Sequence, residues 1–211
     1  MDDTQQRTPE SVWQSIMRGN RRFVEGKSSH PRQTVDRRNE LTHGQSPKAV
    51  VLACSDSRVP VEIILDQGLG DIFVIRTAGE ITDLSVLASL EFAVDGLGVS
   101  LVIVMGHESC GAVKAAKSAL DGGDLPGGFQ RVLIEKVTPS LLAARKDGQH
   151  ETDDFERRHV QEIVNHIIDR SPEISSRLES GDVGVVGLRY RLSDGLAETV
   201  VTKGVSENPL T

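Results

Sequence analysis

Cysteine occurs twice in this chain of 211 residues, each time in a segment dense with other reactive side chains. The first segment is Ala53-Cys54-Ser55-Asp56-Ser57-Arg58; the second is Gly106-His107-Glu108-Ser109-Cys110-Gly111. Two thiols and an imidazole are ligand types for Zn2+, and three protein ligands with a fourth position left for water make a catalytic rather than a structural site. The spacing His107-x-x-Cys110 lets both side chains reach one ion from a turn at a helix start, where the dipole of a helix opening at Gly111 favours the Cys110 thiolate. Asp56 and Arg58 flank the first ligand in one loop. Asp56 either accepts a hydrogen bond from zinc-bound water, steadied by Arg58, or ligates the metal directly in place of that water. The blander readings are a buried cysteine pair with an unrelated histidine, and a loop salt bridge without chemistry. Zn2+ on two thiolates and one neutral imidazole carries a formal charge near zero and acidifies water less than an all-histidine site. Activity should therefore rise toward alkaline pH.

Both segments follow directly on apolar runs, Ala49-Val50-Val51-Leu52 and Leu101-Val102-Ile103-Val104-Met105, which read as buried parallel strands. Two such strands ending side by side bring Cys54, His107 and Cys110 to one edge of a sheet. From Lys48 the pattern alternates: strand Ala49–Ala53, short helix Pro60–Leu65, strand Asp71–Arg76, helix Asp83–Val94, strand Ser100–Met105 and helix Gly111–Leu120. Helices follow near Arg131–Arg145, Phe155–Asp169 and Pro172–Leu178, then strand Val183–Leu188, with Glu198–Thr202 pairing antiparallel at an edge. The expected class is α/β: a mostly parallel sheet of about four strands plus an antiparallel edge strand, flanked by helices. Ahead of it Thr8-Pro9-Glu10 reads as a helix cap, and Val12, Trp13, Ile16, Met17, Phe23 and Val24 recur at helical spacing. The reading is one domain over 1–211, an N-terminal helical arm at 1–47 and an α/β core at 48–211. The stretch Asp121–Gly128 is a flexible break within it.

Composition narrows the partners. The charge is −7, from 24 basic against 31 acidic residues, with the basic ones spread along the chain, so neither nucleic acid nor an anionic membrane is expected. No apolar run approaches the ~20 residues of a spanning helix. The start, Met1-Asp2-Asp3-Thr4-Gln5-Gln6, is too polar for an export signal, and two cysteines make no disulfide framework, so the expected setting is the cytoplasm.

The two reactive segments together resemble the β-class carbonic anhydrases. Asp66-Gln67-Gly68-Leu69-Gly70-Asp71-Ile72-Phe73-Val74-Ile75-Arg76 and Glu91-Phe92-Ala93-Val94 are also similar to family segments, and the likeness runs from Gln45 through Leu120 and again over Val183–Gly195. The resemblance implies zinc on Cys54, His107 and Cys110, and a catalytic dyad of Asp56 and Arg58. It implies zinc-dependent, reversible hydration of CO2 to bicarbonate and a proton by zinc-bound hydroxide. It further implies that Gln45 donates a hydrogen bond to substrate and that Ile63, Phe73, Ala78 and Phe92 form the apolar CO2 pocket, part of it from a partner subunit. Homodimers or homotetramers are expected, with the arm around Trp13 embracing the neighbour. Some members also bind bicarbonate at an inhibitory site built from Trp, Arg and Tyr. Here Val51 stands at the Trp position, though Arg76 and Tyr190 match, so that inhibition is not expected. Ala78-Gly79 replaces a common Ala-Asn.

Other constellations fall short. Cys54-x-x-x-Arg58 is too short for a tyrosine-phosphatase loop, Gly106-x-x-Ser109-x-Gly111 misses the nucleophile elbow, and Gly181-x-x-Gly184-x-x-Gly187 sits in a strand rather than a strand-to-helix turn. His159 and His166 read as solvent-facing. Two rival functions remain: CS2 or COS hydrolysis on the same scaffold, and a non-catalytic zinc sensor.

Overall fold

The computed structural model describes residues 7–210. The polar start that argued against an export signal lies outside the described residues. Helix α1 (Pro9–Val24) begins where the Thr8 hydroxyl accepts the Ser11 N–H at 3.2 Å and Pro9 occupies the first turn. Its apolar stripe of Val12, Trp13, Ile16 and Met17 is buried in the chain's own core, and Trp13 Nε1 donates to the Ser206 carbonyl at 3.0 Å. Most of the arm's apolar face is thus packed on its own chain, while Val24 near its end stays exposed.

Five strands form one sheet: β1 (Ala49–Cys54), β2 (Ile72–Thr77), β3 (Leu101–His107), β4 (Gly184–Tyr190) and β5 (Ala197–Lys203), in the order β2-β1-β3-β4-β5. The first four are parallel and β5 runs antiparallel at the edge. β1, β3 and β4 are buried along their whole length, which is why they read as continuous apolar runs rather than alternating ones. On one face lie α1 and the short α3 (Val61–Ile64), packed on Ala49, Val51, Leu101 and Ile103. On the other lie α4 (Leu84–Glu91), α7 (Thr152–Arg170) and α8 (Pro172–Glu179), packed on Val50, Leu52, Val102 and Val104. A third cluster joins α5 (Gly111–Leu120), α6 (Arg131–Lys146) and Phe155 to Cys54 and Cys110.

The differences from expectation are local. A six-residue helix α2 (Val35–Glu40) was not anticipated; Thr34 caps it with 3.2 Å to Arg37 N. The helix expected over 83–94 leaves α geometry after Glu91 and closes with a wider turn, Leu97 N–H bonding Phe92 O at 3.1 Å. α7 starts at Thr152 rather than Phe155 because Asp154 turns back to accept the Glu151 N–H at 3.4 Å. Among the described residues no helix is long and apolar enough to cross a membrane.

Candidate metal centre

Parallel register does the first part of the assembly. Ala53 on β1 stands opposite Met105 on β3, so Cys54 and His107 emerge together from the carboxyl edge of the sheet, where open α/β sheets bind ligands. The chain then reverses within Glu108–Cys110. Ser109 takes a left-handed φ of 59°, a conformation costing a non-glycine residue about 1 kcal/mol or more. The reversal sets Cys110 at the cap of α5, beside His107. Cys54 and Cys110 Sγ and a ring nitrogen of His107 lie within 4.8 Å of one another, all buried. Ligand atoms around tetrahedral zinc are roughly 3.5–4 Å apart, so a small inward adjustment closes the set on one ion.

The protonation pattern fits the same group. His107 Nδ1 lies 2.9 Å from the Glu108 carbonyl, which can only accept, so Nδ1 carries the hydrogen. That leaves the Nε2 lone pair facing the sulfurs, buried and without a hydrogen-bond partner. Such an orphaned acceptor beside two thiols is the donor set that zinc takes up. Cys54 is drawn well below the usual thiol range, first by the Cys110 thiol donating to it and then by the Gly79 N–H, against the pull of burial. Cys110 is pushed up because it holds the shared proton and is buried.

Asp56 sits at the rim. Its Oδ1 accepts from Arg58 N and Nε, each at 2.9 Å, and its Oδ2 from Arg58 Nη2 at 2.7 Å. Oδ2 is also 3.9 Å from His107 Nε2. The Arg58 guanidinium, with its backbone amide, holds the Asp56 carboxyl far below the ordinary carboxylate range despite partial burial. The loop itself is clasped by Arg76, which donates to the carbonyls of Cys54 (2.8 Å) and Asp56 (2.7 Å). Arg76 is thereby engaged with backbone, while Tyr190 and Val51 are buried in the core on the α1 face.

The expected pocket residues are more scattered. Phe73 and Phe92 meet, their rings 6.2 Å apart, on the α4 face. Ile63 projects from α3 on the opposite face and is 54% exposed, as is Phe92; Ala78, just past β2, is exposed too. Gln45 lines a cavity of about 1110 Å3 between α1 and residues 40–48, and none of Cys54, His107 and Cys110 lines it. Within one chain, then, Phe73 and Phe92 converge and Gln45 stands apart from the ligands.

Several residues of the centre were not foreseen. Glu156 Oε1 accepts the Cys110 N–H at 3.2 Å, and its Oε2 pairs with the buried Arg189 at 2.8 Å. Gly79 donates its N–H to Cys54 Sγ at 3.3 Å. Glu80 is buried with Oε2 unpartnered, and burial, with the charges of Cys54 and Glu156, raises its carboxyl well above the usual range. His159 is fully buried, correcting the solvent-facing reading; Ser140 of α6 covers it, whereas His166, two turns on, is exposed. The available signal was the apolar face of α7, Phe155, Val160, Ile163, Val164 and Ile167, interrupted by Glu156 and His159.

A mostly parallel sheet with a buried Cys–His–Cys cluster at its carboxyl edge defines an α/β protein with a candidate metal site. Residues 49–197 match the family model for carbonic anhydrase. The chain is 51% identical over 189 residues to carbonic anhydrase 2 of Mycobacterium tuberculosis, covering 90% of this chain and 91% of that one. Among solved structures it is similar to the β-carbonic anhydrase CcaA (TM-score 0.64, 28% identity, 88% and 93% of the two chains covered). It also shares its fold with tetrameric β-carbonic anhydrases of Sordaria macrospora (TM-score 0.68, 22% identity, 91% and 98% covered). The chain belongs to the β-class carbonic anhydrases. It is an enzyme of that family.

Proposed function

We propose that the enzyme hydrates CO2 reversibly to bicarbonate and a proton, with zinc held by Cys54, His107 and Cys110 and with Asp56 and Arg58 as its catalytic pair. One observation carries the reading: a buried Cys–His–Cys set has at its rim a carboxylate fixed by three donors of a single arginine. Bound zinc supplies Lewis-acid activation of water. Everything else falls to the chain. Asp56, held far below the usual carboxylate range, stays an anion at every working pH, so it orients a proton-bearing group as an acceptor and does not store the proton. Arg58 fixes the direction of that acceptor. Because both Asp56 oxygens are bonded to Arg58, direct ligation by Asp56 would cost this bidentate pair, which favours the open arrangement.

Substrate binding by Gln45, Ile63, Phe73, Ala78 and Phe92 then requires a second copy, since Gln45 does not share the metal edge of its own chain. Support comes from the uncovered apolar side chains around edge strand β2, Ile63, Phe92 and the 78%-exposed Leu84. We read the active form as a homodimer or homotetramer, acting in the cytoplasm, where two free cysteines stay reduced. We also read arm and core as one domain, since Trp13 shares a core with β1 and β3. The test is Asp56→Asn in zinc-loaded protein. Zinc content should hold while kcat for CO2 hydration falls ~100-fold or more; full zinc with an unchanged rate would overturn the dyad.

A further inference from the structure

α7 packs closely on the sheet where β3 and β4 each carry a glycine. The two methyls of Val160 fill a notch over Gly106 of β3 and Gly187 of β4, where a Cβ would stand 2.4 Å from Cγ2 and 2.7 Å from Cγ1. This locks the neighbouring His159, which is buried and bonded at both ring nitrogens. Nε2 lies 2.9 Å from the Gly79 carbonyl and Nδ1 lies 2.9 Å from Ser140 Oγ. A carbonyl can only accept, so Nε2 carries the hydrogen and the Ser140 hydroxyl donates to Nδ1. Burial lowers the imidazole pKa, outweighing the Gly79 carbonyl and the Cys54 charge that raise it, so the ring stays neutral in that single tautomer.

The peptide that His159 grips is a strained one. Gly79 and Glu80 are consecutive left-handed residues, with φ of 66° and 41°, a pairing that persists only where the surroundings hold it. Thr77 Oγ1 closes the base of this turn on the Ile81 carbonyl at 2.8 Å, and His159 holds its apex. The turn in turn aims the Gly79 N–H at Cys54 Sγ. A donor on a ligating sulfur fixes its orientation and tempers its charge. Glu156, three residues before His159 on the same helix, grips the Cys110 amide, so α7 addresses the loops of both sulfurs.

We propose that His159 is a positioning residue of the metal centre, acting on Cys54 through the Gly79 turn and oriented by Ser140. The inference rests on the zinc reading above. The experiment titrates zinc into apo protein against a chromophoric chelator and records the thiolate-to-metal absorption of the Co2+ form. It compares wild type with His159→Leu, His159→Gln and Ser140→Ala, each checked for folding by circular dichroism. Wild type should bind one zinc per chain. His159→Leu should bind about 10–100-fold more weakly with a shifted Co2+ spectrum. His159→Gln, whose amide can still donate to Gly79, should recover most of the affinity, and Ser140→Ala should fall between. Folded His159→Leu with wild-type zinc affinity and an unshifted spectrum would reduce His159 to a core filler and overturn the proposal. If His159→Leu does not fold, unchanged zinc affinity and spectrum in Ser140→Ala overturn it instead. Wild type that takes up no zinc would sink the metal reading itself, and this inference with it.

Discussion

Cys110 does two jobs in one position: its sulfur faces His107 and Cys54, and its backbone caps α5 while donating to Glu156. Serine keeps the cap and the amide bond but replaces a soft thiolate by a hydroxyl that stays protonated. Cys110→Ser should therefore fold yet lose more than about 100-fold in zinc affinity, beyond what outer partners cost. Metal analysis of the purified variant checks this, and full zinc retention would contradict the ligand assignment. The clustering of Cys54, His107 and Cys110 and the nearness of Asp56 to Arg58 were legible because each lies within a few residues of an apolar strand whose end fixes its place. Glu156 and His159 were not legible in the same way. They meet Cys110 and Gly79 from 46 and 80 residues away, and nothing local in α7 records which of its polar residues α6 and the sheet will cover.

At the scale of elements, the strands and most helices followed from apolar periodicity, since a buried parallel strand leaves little ambiguity. Boundaries moved where side chains acted on backbone, as Asp154 and Thr34 do at the starts of α7 and α2. What periodicity does not show is closeness of approach. Gly106 has no sequence mark beyond its identity, yet a Cβ there would meet Val160 Cγ2 at 2.4 Å and Glu80 Oε1 at 2.9 Å. Gly106→Ala should destabilise the fold by about 1–3 kcal/mol. Adding Val160→Ala should give a double variant less destabilised than the sum of the singles, because the second change removes the clash. Strict additivity in urea melts would show that α7 does not pack as closely as this.

For the whole molecule two consequences follow from charge and from uncovered surface. Burial alone would raise the Asp66 carboxyl, but the Ser29 amide, Arg22, the Ser29 hydroxyl and the His30 amide together bring it down to about 2. A carboxyl lowered by folding contributes stability that is complete above its unfolded value near pH ~4 and lost as pH falls toward that lower value. Acid melts should show this loss, and Asp66→Asn should be less stable at neutral pH by about 1–3 kcal/mol with a flatter profile below pH ~4. Equal acid sensitivity in both proteins would refute the assignment. The uncovered apolar residues near β2 make the second prediction. Wild type should sediment as an even oligomer, and Leu84→Asp, at a position 78% exposed in the single chain, should shift it toward monomer. Unchanged sedimentation would place the interface elsewhere.

The central claim is that this chain turns over CO2 at a two-thiolate zinc site. Stopped-flow hydration by the zinc-loaded wild-type protein, scanned from about pH 6.5 to about pH 9, addresses it most directly. The rate should climb with pH, because an ion neutralised by Cys54 and Cys110 acidifies water less than one held by three neutral imidazoles. Fully zinc-loaded protein that is silent toward CO2 across that range would contradict the account, and a rate flat with pH would contradict its electrostatics.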